Sequence, residues 1–170
     1  MEARLQAALA IARANNGHLS CLHITPIALY IASDGVAGAY LMPDFVKHLD
    51  EMESKMRERI ESDLKTEDVS WDYEHVEGDP AQMLVSRSAL ADLIIMGRSH
   101  HRETHYTPLP LIGDVLQSAR APILVQPQER LSFDPLGPAV VAWNGSFEAA
   151  NAIRSALPLL QMASAVHIVT

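Results

Sequence analysis

Ala91-Asp92-Leu93-Ile94-Ile95-Met96-Gly97-Arg98 is the stretch that decides the fold. Leu93 to Met96 offer no polar face, so they predict a strand covered on both sides, as in a parallel sheet flanked by helices. Gly97 follows the strand directly. Upstream, Asp79-Pro80 opens a helix that runs to about Leu90, with the carboxylate at N-cap and the proline at the first helical position, where its missing N–H costs nothing. Downstream, a polar, histidine-rich loop leads to a short helix over Leu111 to Ala119 and a second buried strand over Ile123 to Val125. Helices alternating with short apolar strands define an α/β chain.

The alternation extends in both directions. From Glu2 to Ala14, Leu5, Ala8, Leu9, Ile11 and Ala12 fall at near-helical spacing, and Asn15-Asn16-Gly17 supplies the stop. Leu19 to Ile24 is a strand closed by Thr25-Pro26. The stretch from Ile27 to Met42 has no clean period and reads as loop or short helix. Pro43-Asp44 then caps the clearest helix, in which Phe45, Leu49, Met52, Met56, Ile60 and Leu64 recur at steps of three and four. Its methionines at this spacing mean core packing. Val69, Trp71 and Tyr73 alternate with polar residues in a half-buried strand that ends at Glu77-Gly78. Beyond a proline-rich linker over 127–138 come a strand, Ala139 to Trp143, a turn at Asn144-Gly145-Ser146, a helix from Phe147 to Leu160 that includes Pro158, and a strand, Ala165 to Val169.

Composition narrows the function. The 170 residues carry 13 Lys and Arg against 21 Asp and Glu, a net charge of −8, with no basic stripe and only three Phe, four Tyr and two Trp. Nucleic acid is therefore not an expected partner. No apolar run approaches the ~20 residues needed to span a bilayer, so no membrane role is expected. Cys21 has no second cysteine to bridge. With Arg4 and Arg13 interrupting the opening apolar stretch, no secretory segment is expected, and a reducing cytoplasm is the expected compartment.

The two ends of the chain resemble each other. Ile153, Leu157 and Leu160 fall 148 residues after Leu5, Leu9 and Ala12, an offset the length of a whole α/β domain. The expected organisation is one repeat over 1–126 without its first strand, the linker, and over 139–170 the opening strand, helix and strand of a second repeat.

Gly78-Asp79-Pro80, Ala91 to Arg98, Ala121-Pro122-Ile123-Leu124-Val125 and Val141-Ala142-Trp143-Asn144-Gly145-Ser146 together resemble the universal stress protein family in its tandem two-domain form. The resemblance implies an open, parallel five-stranded sheet in order 3-2-1-4-5 with helices on both faces, the adenine nucleotide alpha hydrolase-like fold. It also implies a chain that begins at the first helix of one repeat and ends after the second strand of the next. A sheet without its central strand would leave two strand edges unpaired. Ala139 to Trp143 is therefore expected to fill the gap, within the chain or by exchange in a homodimer.

In such a sheet a small-molecule ligand lies beyond the C-terminal strand ends, where helix N-termini attract anions. Gly97, Arg98, Ser99, Gly113, Asp114, Asn144, Gly145 and Ser146 are the candidate binding residues. Nucleotide-binding relatives carry G-x2-G-x9-G-S/T here. In this chain Gly97 matches, His100 replaces the second glycine, Gly113 comes three residues late, and Asp114 takes the hydroxyl position. A carboxylate about 5 Å from a phosphate costs about 3 kcal/mol at an effective dielectric near 20. The family's acidic first-strand residue is also missing, with Asn144 at the matching turn. The expectation is a stress-response binding protein with a degenerate nucleotide loop and no assigned catalysis. The rival is an ATP- or AMP-binding protein with slow ATPase activity that uses Gly97, Ser99 and Gly113. A third reading is a zinc module, since His100, His101 and His105 could ligate Zn²⁺. Cys21, His23 and His167 read as packing residues, Ser146 as a helix cap, and no G-x-S-x-G elbow supports a hydrolase.

Overall fold

The computed structural model describes residues 2–26, 38–98, 111–127 and 133–170. In chain order these form α1 (Glu2–Asn15), β1 (His18–Thr25), α2 (Gly38–Leu64), β2 (Ser70–Glu77), α3 (Pro80–Arg87), β3 (Ile94–Arg98), α4 (Leu111–Ser118), β4 (Ile123–Pro127), β5 (Ala139–Ala142), α5 (Phe147–Met162) and β6 (Val166–Val169). The expected α/β alternation is present throughout.

Local signals set most boundaries. At the end of α1, Asn16 takes a left-handed φ of 49°. The Gly17 N–H reaches back to the Ala12 carbonyl at 2.8 Å and the Asn16 N–H to that of Arg13 at 3.4 Å. That bond pair caps two orphan carbonyls, and asparagine is the non-glycine residue best suited to the conformation. Asp79 caps α3 as expected, its Oδ1 accepting from the Gln82 N–H at 2.9 Å with Pro80 in the first turn.

Several boundaries differ from expectation, among them the ends of β4 at Pro127 and α5 at Met162, each two residues later than expected. The helix expected to start at Pro43-Asp44 begins at Gly38, so Pro43 falls inside α2 and Ala39 to Met42, good helix formers, carry the helix upstream. The helix expected to reach Leu90 stops at Arg87, with Ser88 as its C-cap and Leu90 fully exposed. The strand expected to end at Met96 includes Gly97 and Arg98, because pairing with Gln126 and Pro127 carries the ladder two residues further.

Among the described residues the strands form three parallel pairs: β1 with β2, β3 with β4, and β5 with β6. The five-stranded order is not among them. Among the described residues β5 pairs with β6. Each of the first two pairs has its own core. Leu9 and Ala12 of α1 meet Leu64 and Val69, with Leu19, Cys21 and Trp71 packed around them. Ile94 and Met96 meet Val115 of α4, with Leu84 and Val85 of α3 alongside. α1 lies against β1, β3 and β4, so it joins the two pairs. It does so with a face of Ala3, Ala7, Ala8, Leu9 and Ala12, all buried, whose small side chains permit close approach. No residue of the described segment 133–170 is buried.

Candidate functional site

Gly97 and Arg98 stand at the C-terminal end of β3, opposite Gln126 and Pro127. A Cβ at Gly97 would meet nothing within 4 Å among the described residues. Gln126 beside it is buried, and among the described residues no buried side-chain polar atom lacks a partner. Gly113 and Asp114 are the third and fourth residues of α4, which packs on β3 through Leu111, Ile112 and Val115. The first four N–H groups of a helix have no partner within it, so those of this turn are the anion donors that α4 itself can offer. Asp114 is exposed in that same first turn. Its carboxylate complements the positive end of the helix dipole, an interaction worth about 0.3–1 kcal/mol.

Asn144, Gly145 and Ser146 belong to the third strand pair and are occupied in local structure. Asn144 Oδ1 accepts from the Ser146 N–H at 3.0 Å, Gly145 has φ +79°, and Ser146 Oγ accepts from the Ala149 N–H at 3.1 Å as the N-cap of α5. Thus β3 and its packed helix α4 bring Gly97, Arg98, Gly113 and Asp114 to one strand pair, and the Asn144 turn stands on another. Ser99, His100, His101 and His105 lie outside the described residues. Among those described, no group of three or more His, Cys, Asp or Glu is arranged to hold a metal ion.

A polar network at the C-terminal half of β1 and β2 was missed in the sequence. His23 Nδ1 and the Tyr73 hydroxyl share a 2.8 Å hydrogen bond, and Thr25 Oγ1 and His75 Nε2 another of 2.8 Å. The His23 and His75 rings stand 5.1 Å apart, and the Tyr73 hydroxyl donates to Glu53 of α2 at 3.4 Å. The Arg57 guanidinium lies 5.3 Å from the Tyr73 ring centre. Burial, with Glu53 adding to it, pushes the Tyr73 phenol up to about 12. Burial and then His75 hold the His23 imidazole below its ordinary value, against a smaller pull from Glu53. His23 was expected to be a packing residue. It is partly buried, but its role is to hydrogen-bond across the sheet, and the signal was its register with His75, which a single strand does not reveal. Cys21 keeps its expected structural role: burial first, then Asp72, pushes its thiol up and away from thiolate chemistry.

On the other face of β1 and β2, His18 Nδ1 lies 3.0 Å from Ser70 Oγ and Nε2 lies 2.7 Å from Asp72 Oδ2. The distances match a nucleophile, base and acid. His18 and Asp72, however, are about half exposed at 49% and 57%, on an open sheet surface. The group is a cross-strand ladder of surface residues. Of two shallow cavities, one of about 260 Å³ lies between the first half of α1 and the end of α2, lined by Leu5, Ser62 and Asp63, and one of about 240 Å³ lies at the C-terminal end of α1, lined by Arg13, Asn16 and Ser70. The second reaches Ser70 at the start of β2.

The Universal stress protein family model matches residues 2–126. The chain belongs to the universal stress protein family. Membership carries the α/β nucleotide-hydrolase-like fold class and a stress-response role. No curated protein matches the chain. Among the described residues no helix is long and apolar enough to cross a membrane. In this family member the matched region contains both cores and Gly97, Arg98, Gly113 and Asp114, while the Asn144 turn lies beyond it.

Proposed function

We propose that this universal stress protein is a cytoplasmic regulatory binding protein whose nucleotide loop is degenerate, with no catalysis of its own. The observation that supports the reading is Asp114, an exposed carboxylate in the first helical turn after the loop, where an incoming phosphate would need the N–H groups of α4. A negative charge already set at the positive end of that helix opposes a second one. Titration calorimetry with MgATP tests it: no binding at micromolar nucleotide is expected, and micromolar affinity lost on mutating Gly97 overturns the reading.

One observation favours the rival, an adenine-nucleotide binder with slow ATPase activity: among the described residues nothing lies within 4 Å of where a Cβ on Gly97 would stand, which suits the approach of a phosphate to the backbone. Its signature is a thermal shift with ATP or AMP in the wild-type protein itself, since only a ligand of the native state raises stability. A zinc role for His100, His101 and His105 is tested by elemental analysis of untagged protein, where stoichiometric zinc supports it and its absence ends it.

A further inference from the structure

His23 and His75 are register partners on β1 and β2, so their side chains leave the ladder on the same face. Both are half-buried, and their ring centres stand 5.1 Å apart. An ion about 2.0 Å from a ring nitrogen lies about 3.2 Å from the centre of that ring. Two rings that share one ion, at angles between square and tetrahedral, therefore have centres about 4.5–5.2 Å apart. The observed separation falls within that range.

Hydrogen bonds decide which nitrogens are available. The Tyr73 hydroxyl gives its proton to Glu53 at 3.4 Å, so its oxygen accepts from His23 Nδ1 at 2.8 Å and leaves Nε2 as a bare lone pair. Thr25 Oγ1, 2.8 Å from His75 Nε2, accepts from that nitrogen in the tautomer that bares Nδ1. His23 Nε2 and His75 Nδ1 have no partner among the described residues, where no buried side-chain nitrogen or oxygen lacks one, so both reach solvent. An imidazole with one nitrogen held by an oxygen and the other bare is the usual form of a metal ligand. His18, on the same two strands, is the contrast: Ser70 and Asp72 occupy both of its nitrogens.

The surroundings do not oppose a cation. α2 brings Glu53 and Arg57 to the cluster, one charge of each sign, and Arg57 is drawn to Glu61 at 3.0 Å. No third His, Cys, Asp or Glu among the described residues completes a set with the pair. Structural zinc sites close with four protein ligands, whereas tetragonal copper and nickel accept nitrogen together with oxygen from water.

We propose that His23 Nε2 and His75 Nδ1 chelate one divalent transition ion, Cu²⁺ in preference to Ni²⁺ and Zn²⁺, with water in the remaining positions. Tyr73 and Thr25 are the positioning residues. The pair shares no residue with the Gly97 loop or with His100, His101 and His105, so its fate is independent of what that loop binds.

The test is Cu²⁺ titrated into the untagged full chain with His100, His101 and His105 replaced by Ala, which removes the other candidate ligands. Calorimetry is expected to show one site, tighter for Cu²⁺ than for Zn²⁺, and the Cu²⁺ electron paramagnetic resonance spectrum to show coupling to two imidazole nitrogens. Tyr73→Phe is expected to weaken binding by about 10- to 100-fold with both nitrogens kept, the usual cost of losing the partner that orients a ligand. His23→Gln and His75→Gln are each expected to cost more than that and to lose one nitrogen from the spectrum, with far-UV circular dichroism unchanged. Should either variant unfold, the histidines themselves give the answer: substoichiometric Cu²⁺ is expected to broaden the ring signals of His23 and His75 before those of His18, His48 and His167. No binding in the loop-substituted chain, a spectrum indifferent to both Gln variants, or broadening that begins at another histidine overturns the proposal.

Discussion

The segments 2–126 and 133–170 are built from the same alternation of helix and parallel strand, yet they differ in what they enclose. The first buries Leu9, Leu64 and Val115 completely, while the second buries no described residue. Caps and turns are equally well formed in both: Asp79 holds α3 and Ser146 holds α5 by the same bond, at 2.9 and 3.1 Å. The difference is therefore one of layers. A two-stranded sheet under one helix has too few neighbours to exclude water, and secondary structure without an enclosed core is marginal by itself.

Substitutions can break or sharpen that contrast. The largest effect is expected from Leu64→Ala, which opens a cavity in the first core and costs about 2–5 kcal/mol in denaturant unfolding. Leu157→Ala, on the 46% exposed flank of α5, is expected to cost under about 1 kcal/mol. A cost equal to that of Leu64 would mean that the second region is enclosed in solution.

Next is Asp114→Ser, which removes the opposing charge at α4 and is expected to strengthen MgATP binding by about 10- to 100-fold in calorimetry. An unchanged isotherm would show that the altered glycine spacing, and not the carboxylate, controls the loop.

The two caps come third. Asp79→Ala and Ser146→Ala each remove about 1 kcal/mol from their own helix. Only the first is expected to lower the global melting temperature, while the second shows as faster amide exchange at Ala149 and Ala150. If both lower it equally, the regions unfold as one.

The smallest effect is a pH dependence confined to the first region. The folded His23 imidazole sits below its unfolded value of about 6.5, so the unfolded chain binds the extra proton. Its contribution is fully present above about pH 6.5 and is lost as pH falls through the folded value. Unfolding midpoints measured from pH 7.5 down to 5.5 should fall less steeply in His23→Gln than in the wild type, and parallel curves would remove His23 from the account.

Sequence reading succeeded where a feature is decided within a few residues. Asp79-Pro80, Asn15-Asn16-Gly17 and the apolar run at Ile94 each carry their own reason. It failed where the reason lies across space. Gly97 and Arg98 extend β3 because β4 is beside them, and His23 is defined by Tyr73 and His75, some fifty residues away. The start of α2 was hidden for another reason, since Pro43 looks like a first helical residue when nothing upstream has a period. Of the candidate site, Gly97, Arg98, Gly113 and Asp114 were legible as belonging together because loop and helix follow the strand directly. The Asn144 turn was grouped with them by resemblance alone, and its bonds are local.

The alanine face of α1 has a consequence in time. The helix precedes β3 and β4, against which it packs, by up to the 112 residues from Asn16 to Pro127. At about 5–20 residues per second, that face waits roughly 6–20 s during synthesis before its last partner exists. Four alanines and a single leucine are a mild surface to leave uncovered for so long. A leucine-rich face at the same place would offer every passing chain a hydrophobic target, so the small residues that allow close packing at the end also keep the nascent chain out of trouble at the beginning.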